Sequence, residues 1–175
     1  QKRNYKIFYY NPHDLIYNEG EIMASGYYIK LSKDKNNYFQ YLSEKNTIFL
    51  KNFKFVFIRQ DPPFDMNYVT STYLLEYVPK TTHIINNPSA IRNYSEKIFP
   101  FSFKKYMPPT IVSQDIEVIK NFLLKYKDII TKPLYGNGGD GIFRSKLNEG
   151  VLNGIDYNQR ILKEPLLAQK YIPEI

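Results

Sequence analysis

Apolar residues fall into short runs separated by polar or proline-containing breaks, which predicts alternating strands and helices. Residues 5–10 predict a strand that ends in a turn at Asn11-Pro12, and residues 15–31 predict a hairpin that turns at 18–20. Residues 53–59, FKFVFIR, are almost continuously apolar over the length of one strand. Such a run is typical of a strand covered on both faces in a parallel sheet, so we expect it at the centre of a sheet.

Two helices are predicted after this strand. Val69, Tyr73 and Tyr77 recur at fourfold spacing, which places them on one face of a helix. After a further short strand, Asn87 is expected to cap a second helix, in which Pro88 at the first position loses no helical hydrogen bond. The order strand, helix, strand, helix predicts an α/β domain with an at least partly parallel sheet, which we expect to end near residue 100.

A second unit follows the prolines of MPPT, residues 107–110. A strand is predicted at 110–112, and strands are predicted again at 128–132 and 142–146, on either side of a glycine-rich loop. Ser113 is expected to cap a helix whose apolar residues repeat every three or four positions: Ile116, Ile119, Leu123 and Tyr126.

Composition excludes several classes of protein. The 175 residues are 43% hydrophobic, enough for one or two small cores, and no apolar run approaches the roughly 18 residues of a membrane span, so we expect a cytoplasmic protein. The chain has no Cys, so it cannot form disulfides, and its two His leave a zinc site with almost no ligands. The net charge of +7 favours polyanionic partners, but the lysines are dispersed and only five basic residues are Arg. Since the chain starts with Gln1 and stops after an apolar stretch, we expect it to be part of a longer protein.

The most informative segment is TKPLYGNGGDGIFR, residues 131–144, which places four glycines within six positions. The pattern G-x-G-x-x-G is satisfied, but a dinucleotide fingerprint requires a helix at the loop, and residues 142–144 are strand-like. No Gly-Lys-Ser/Thr follows, which excludes a P-loop. Two interpretations remain: a loop that folds over nucleotide phosphates with its backbone N–H groups, or a simple hairpin turn rich in Gly and Asn.

Two lysines favour the nucleotide interpretation. Lys132 ends the strand before the loop, where its ammonium could reach α- or β-phosphate oxygens, although a lysine at a strand end is more often simply solvated. Lys97 is expected on the helix that leads into this unit. Residues 166–173, LLAQKYIP, predict an apolar strand whose exposed backbone could pair with an adenine edge.

The segments RQDPPFD, NNPSAIRNYSEKIF, MPPT, IITKPLYGNGGDGIFR and LLAQKYIPEI, in this order, resemble the bacterial glutathione synthetases of the ATP-grasp superfamily. The resemblance runs from residue 1 to residue 175. It implies a Rossmann-like N-terminal substrate domain over residues 1–94 that lacks its first strand and helix. It also implies the first part of an ATP-grasp domain over residues 95–175, without its second half.

The resemblance also implies a reaction, in which ATP phosphorylates the cysteinyl carboxylate of γ-glutamylcysteine and glycine displaces the phosphate. Lys132 would be the catalytic cation and would bind the ATP phosphates together with Lys97. The backbone of Lys170 and Ile172 would bind adenine. The complete set of implied ATP-binding residues is Lys97, Lys132, Gly136, Asn137, Gly138, Gly139, Asp140, Gly141, Gln169, Lys170, Tyr171 and Ile172.

The chain departs from the family pattern at one position, and some residues that the resemblance implies are expected beyond residue 175. Tyr135 stands where many family members have an acidic residue, and the family's Mg²⁺ ligands are expected beyond residue 175, so we expect no turnover by this chain alone. The resemblance also implies that the full-length protein forms a homo-oligomer. Arg59 is a candidate ligand for a dipeptide carboxylate, or else an ion-pair partner of Asp61 or Asp65. Arg144 is expected to be a surface cation.

Two other functions remain open at this stage. Another ATP-grasp ligase that joins a different acid to a different amine would keep the lysines and the glycine loop; only RQDPPFD argues against it. A non-catalytic nucleic-acid-binding domain would use the net charge and be indifferent to ATP. We expect no nucleic-acid partner, because the tyrosines do not alternate with basic residues in the manner of a base-stacking platform. We also expect no membrane association, because no apolar run has the length of a membrane span.

Overall fold

The computed structural model describes residues 5–34, 36–149 and 164–174. The chain divides into two compact units, Gln1–Asn93 and Tyr94–Ile175. Each unit has its own hydrophobic core.

A long antiparallel hairpin forms much of the first unit. Strand β1, Ile7–Asn18, pairs with β2, Glu21–Leu31. Both residues of the connecting turn have positive φ, 47° at Glu19 and 90° at Gly20, as two-residue hairpins favour. The predicted hairpin turn is therefore confirmed. The turn predicted at Asn11-Pro12 is wrong, because β1 continues through these residues. The pairing of β1 with β2 shifts register there, between Tyr10 and Leu15.

Two short strands complete this antiparallel sheet. Strands β3, Phe39–Tyr41, and β4, Asn46–Phe49, both pair with β2, which is therefore the central strand. Successive side chains of a strand point to opposite faces, and β2 accordingly buries alternate residues. The core of the unit consists of Ile22, Ala24, Leu50, Val56, Ile58, Leu75 and Val78.

A parallel pair of strands lies in the same unit. Strand β5, Phe55–Phe57, pairs with β6, His83–Ile85, which confirms that the sheet is partly parallel. Val56 is buried, but Phe55 and Phe57 are 45% and 61% exposed. Within the described residues β5 has one partner strand and one covered face, so the expectation of a central strand covered on both faces is not met.

The two helices of the first unit begin at side-chain caps. Helix α1, Met66–Glu76, begins after Asp65, whose carboxylate accepts a hydrogen bond from the Tyr68 N–H at 2.9 Å. Helix α2, Pro88–Asn93, begins after Asn87, whose side chain accepts from the Ala90 N–H at 3.0 Å. The predicted Asn87 cap is confirmed.

The predicted apolar face of α1 is wrong. Tyr73 and Tyr77 are 49% and 66% exposed, whereas Ser71, Thr72 and Leu75 are buried. Two hydroxyl residues can face the core here because each bonds a backbone carbonyl in the preceding turn, at 2.7 Å for Ser71 and 2.6 Å for Thr72.

A four-stranded antiparallel sheet organises the second unit. Its strands are β7, Thr110–Ser113, β8, Asp128–Pro133, β9, Phe143–Lys146, and β10, Leu166–Lys170. The spatial order is β7-β10-β8-β9, so β10, the last strand in the sequence, lies between β7 and β8.

Helix α3, Ile116–Tyr126, covers one face of this sheet. The predicted stripe is confirmed, although the cap is Asp115, which accepts from the Glu117 N–H at 2.9 Å, and not Ser113. The Ser113 hydroxyl instead accepts from the N–H of Asp115, the residue that caps the helix, at 2.9 Å. The core consists of Ile119, Phe122, Leu123, Ile129, Leu166 and Ala168.

None of the helices in the described part of the chain is long and apolar enough to cross a membrane.

Candidate functional site

The face of the second sheet that lies away from α3 carries polar side chains. In β8, Ile129, Thr131 and Pro133 are buried on the face that α3 covers. Ile130 and Lys132 therefore lie on the opposite face. Residues paired across strands share a face, so Gln169 and Arg144, both paired with Ile130, and Thr110, paired with Gln169, belong to that side too. We call this surface the polar face; it comprises Thr110, Ile130, Lys132, Arg144 and Gln169.

A directional chain of hydrogen bonds crosses the polar face. The Lys132 ammonium donates to Gln169 Oε1 at 3.1 Å, Gln169 Nε2 donates to Thr110 Oγ1 at 3.0 Å, and the Thr110 hydroxyl donates to the Pro108 carbonyl at 2.7 Å. A carbonyl can only accept, so the Thr110 oxygen must accept from the Gln169 amide, which turns Oε1 towards Lys132. Because an ammonium has three donors and one is used in the described part of the chain, Lys132 can also bind an anion.

The glycine-rich loop connects β8 to β9, as predicted, and no helix begins at it. Gly138, Gly139 and Gly141 have φ of 61°, 85° and 69°, a backbone conformation that residues with a Cβ rarely adopt. Gly136 differs from these: a Cβ there would lie 3.0 Å from the Pro133 side chain, so the ring would have to shift to make room. The four glycines therefore set the path of the loop.

Lys97 contacts the start of this loop. Its ammonium donates to the Gly136 carbonyl. The predicted helical position of Lys97 is wrong, since α2 ends at Asn93 and Lys97 lies in a turn before the 3₁₀ helix Phe99–Tyr106. The structure thus brings together the loop and the first lysine, while the second lysine, Lys132, lies on the strand that enters the same loop.

Glu164, which lies just before β10, attaches the start of the glycine-rich loop to that strand. Its carboxylate accepts from the Tyr135 N–H at 3.1 Å, and the Leu134 N–H donates to the Pro165 carbonyl at 3.0 Å. Tyr135 is not itself acidic, but a carboxylate from another segment contacts the backbone at this position. Sequence patterns do not reveal this contact, because it joins residues 29 positions apart.

Two backbone N–H groups of the predicted adenine segment, residues 169–172, donate to carbonyls outside it. The Lys170 N–H donates to the Pro109 carbonyl and the Tyr171 N–H donates to the Asp128 carbonyl, both at 3.0 Å. Within the described ranges, the Lys170 carbonyl and the Ile172 N–H have no hydrogen-bond partner. The Lys170 amide is therefore used in the fold, and only its carbonyl remains for a ligand.

Arg144 fixes this segment from the neighbouring strand, a role that the sequence analysis missed. Its guanidinium makes two hydrogen bonds to the Asp128 carboxylate, at 3.0 and 2.7 Å, and lies 3.4 Å from the centroid of the Tyr171 ring. The hydrogen bond from Arg144 holds the pKa of Asp128 below its ordinary value. The β8–β9 register brings these groups together, and sequence spacing does not reveal that register.

Arg59 lies in the first unit, two residues beyond β5, and is exposed. It makes no ion pair with Asp61 or Asp65 in the described part of the chain, and Asp65 instead caps α1. The side-chain amide of the adjacent Gln60 lies within hydrogen-bond distance, 2.9 Å, of the Ser71 hydroxyl, and this contact attaches the loop to α1. Ligand binding by Arg59 stays a prediction.

A metal site does not emerge from the residues at hand. Across residues 5–34, 36–149 and 164–174, no three His, Cys, Asp or Glu side chains cluster to hold a metal ion.

Solved structures share this fold. The D-cycloserine synthetase DcsG superposes with a TM-score of 0.53 at 17% identity, over 70% of this chain and 45% of that one. D-alanyl-alanine synthetase A from Vibrio cholerae superposes with a TM-score of 0.52 at 14% identity, over 90% and 48%. Together with the family model of an ATP-grasp domain that matches residues 96–175, these likenesses define the chain as an α/β protein of the ATP-grasp class.

Family models identify the particular family. The model of the N-terminal domain of prokaryotic glutathione synthetase matches residues 1–92, and that of its ATP-grasp domain matches residues 96–175. The chain belongs to the prokaryotic glutathione synthetase family. Glutathione synthetases from Agrobacterium fabrum and Wigglesworthia glossinidia brevipalpis are 39% and 38% identical to it, each over the whole chain. The chain spans 55% of the length of either relative.

Proposed function

We propose that the chain supplies the substrate domain, residues 1–94, and the first ATP-grasp segment, residues 95–175, of an ATP-dependent glutathione synthase. The whole protein would join glycine to γ-glutamylcysteine through an acyl phosphate. The observation that carries the proposal is the polar face: Lys132, held by Gln169, stands on the strand entering a glycine loop whose first carbonyl is bonded by Lys97. Family membership supports the choice of reaction.

The chemistry explains why such an arrangement is needed. A carboxylate is a poor electrophile, and its attack on the γ-phosphate brings two anions together. Cations and fixed N–H donors must therefore spread the negative charge in the transition state. Lys132 would bind phosphate oxygens through the donors that the Gln169 bond leaves free, and Lys97 would do so at the loop. The positive-φ glycines would let backbone N–H groups approach the phosphates without obstruction by a Cβ.

The segment 169–172 would bind the base. The Lys170 carbonyl would accept from the adenine 6-amino group and the Ile172 N–H would donate to the adjacent ring nitrogen. Arg59 would bind a substrate carboxylate. We further propose Mg²⁺ as a companion of ATP, with ligands outside residues 1–175, cytoplasmic location and homo-oligomeric assembly, all supported by family membership alone.

ATP binding tests the core of the proposal. In calorimetry with the 175-residue chain, we expect saturable ATP binding that weakens about 10- to 100-fold in Lys132→Met, the value of a charge-assisted hydrogen bond. Lys97→Met should also weaken binding. The matched control, Lys125→Met, removes the same charge from α3 on the other side of the sheet and should bind as the parent does. Equal losses in all three variants would overturn the site, as would salt-sensitive binding to DNA without binding to ATP.

The reaction is tested on the complete gene product. ADP and phosphate should form only when ATP, Mg²⁺, γ-glutamylcysteine and glycine are all present. Turnover with another acid and amine pair, and none with this one, would favour a different ATP-grasp ligase. That the 175-residue chain alone does not turn over remains a prediction, and the same assay checks it.

A further inference from the structure

The Lys170 carbonyl is unbonded because of the residue that faces it. The β10–β7 register pairs Gln169 with Thr110, so the next pair along is Lys170 with Pro109. The Lys170 N–H donates to the Pro109 carbonyl at 3.0 Å, which makes these two residues a hydrogen-bonded pair of the antiparallel ladder. Such pairs normally exchange two bonds, but proline has no N–H to return.

The other neighbouring strand cannot satisfy this carbonyl either. The Tyr171 N–H bonds the Asp128 carbonyl, so Tyr171 and Asp128 are a hydrogen-bonded pair of the β10–β8 ladder. Hydrogen-bonded pairs alternate with unbonded ones, and the Lys170–Ile129 pair is therefore unbonded, with the Lys170 backbone groups directed towards Pro109. The sheet consequently leaves the Lys170 carbonyl, one of the acceptors within residues 169–172, unused.

We propose that Pro109 is a positioning residue for base recognition: its missing N–H keeps the Lys170 carbonyl free to accept from the 6-amino group of the nucleotide. This inference rests on the proposed function. An acceptor at Lys170 followed by a donor at Ile172 is complementary to a 6-aminopurine edge. Guanine would place its O6 acceptor against the Lys170 carbonyl. Pro109 would thus contribute to specificity without contacting the base.

The experiment compares ATP with purine riboside triphosphate, which lacks the 6-amino group. In the parent chain we expect ATP to bind about 3- to 10-fold more tightly than this analogue, as one hydrogen bond provides. Pro109→Ala supplies an N–H to the carbonyl, so ATP should weaken several-fold, the analogue should be unaffected, and the preference should approach unity. A carbonyl has two lone pairs, which is why we expect reduced rather than abolished ATP binding.

Two readouts separate this role from a structural one. Pro109→Ala gains a backbone hydrogen bond but loses proline rigidity, so we expect its Tm to stay close to that of the parent. Pro108→Ala is the matched control: it loses the same ring yet keeps the carbonyl that Thr110 bonds, and should keep the preference for ATP. If Pro109→Ala keeps the preference while ATP binding still depends on Lys132, the inference is wrong and the proposed function stands. If the parent binds no ATP, the proposed function itself fails.

Discussion

The hydrogen-bond chain on the polar face predicts that a residue at its far end controls nucleotide affinity. Thr110→Val keeps the shape of the side chain but deletes the hydroxyl that bonds both Gln169 and Pro108. Two hydrogen bonds of about 0.5–1.5 kcal/mol each are lost, and the added methyl group returns up to about 0.8 kcal/mol through burial. We expect a net loss of about 1 kcal/mol, or about 4–8 °C in Tm for a unit of this size.

The effect on the ligand follows from the orientation of the amide. Without Thr110 as acceptor, the Gln169 amide is free to turn its NH₂ towards Lys132, which opposes the ammonium. The Kd for ATP should then rise about 3- to 10-fold, measured by calorimetry. Thr110→Ser keeps the hydroxyl and should restore most of the affinity. Ser113→Ala removes a hydroxyl from the other end of β7 and should lower Tm without changing the Kd.

One result would refute this reasoning. If Thr110→Val loses stability as expected but binds ATP as tightly as the parent, the chain of hydrogen bonds is only structural and does not orient Lys132. An unchanged Tm together with an unchanged Kd would show that the hydroxyl is not bonded in this way in solution.

Three further changes test other parts of the second unit. Arg144→Leu should weaken ATP binding several-fold in calorimetry. Because the pKa of Asp128 is lowered below 3.8, the stability that the Arg144–Asp128 pair contributes is present above about pH 4 and is lost below it. The difference in Tm between Arg144→Leu and the parent should therefore shrink in acid. Gly136→Ala should weaken ATP binding with little change in Tm, because a Cβ would crowd a buried proline ring and displace the loop; unchanged affinity would contradict this. Ile129→Ala should lower the unfolding free energy in urea by about 2–5 kcal/mol, since Ile129 is fully buried, whereas Leu124→Ala on the exposed side of α3 should change it by less than about 0.5 kcal/mol.

Local features of the fold could be predicted from the sequence because local chemistry determines them. The Glu19-Gly20 turn, the Asn87 cap and the apolar stripe of α3 each depend on residues a few positions apart. Features that depend on which face of a helix packs against the core could not be predicted. The hydrophobicity of Tyr73 suggested a buried position, but tyrosine tolerates exposure, while Thr72 is buried with its hydroxyl bonded to the helix backbone.

The same distinction applies to the candidate site. The loop and both lysines follow from composition and order along the chain, although the lysines and loop glycines stay predictions as ligand contacts. What holds Lys132 could not be foreseen, because its bond to Gln169 spans 37 positions and the next bond spans 59. Those contacts depend on the insertion of β10 between β7 and β8, and hydrophobic periodicity specifies neither strand order nor register.

The central position of β10 links the candidate site to the stability of the whole sheet. The hydrogen-bond chain takes one member from each of β7, β8 and β10, so it can form only after the last strand in the sequence has docked between the other two. A ligand that binds only this arrangement must stabilise it, by about 2.7 kcal/mol when its concentration is 100 times its Kd. Affinity and stability should therefore fall together when docking is weakened, as in Ile129→Ala. They should separate when only a hydrogen-bonding group beside the docked strand changes, as in Pro109→Ala.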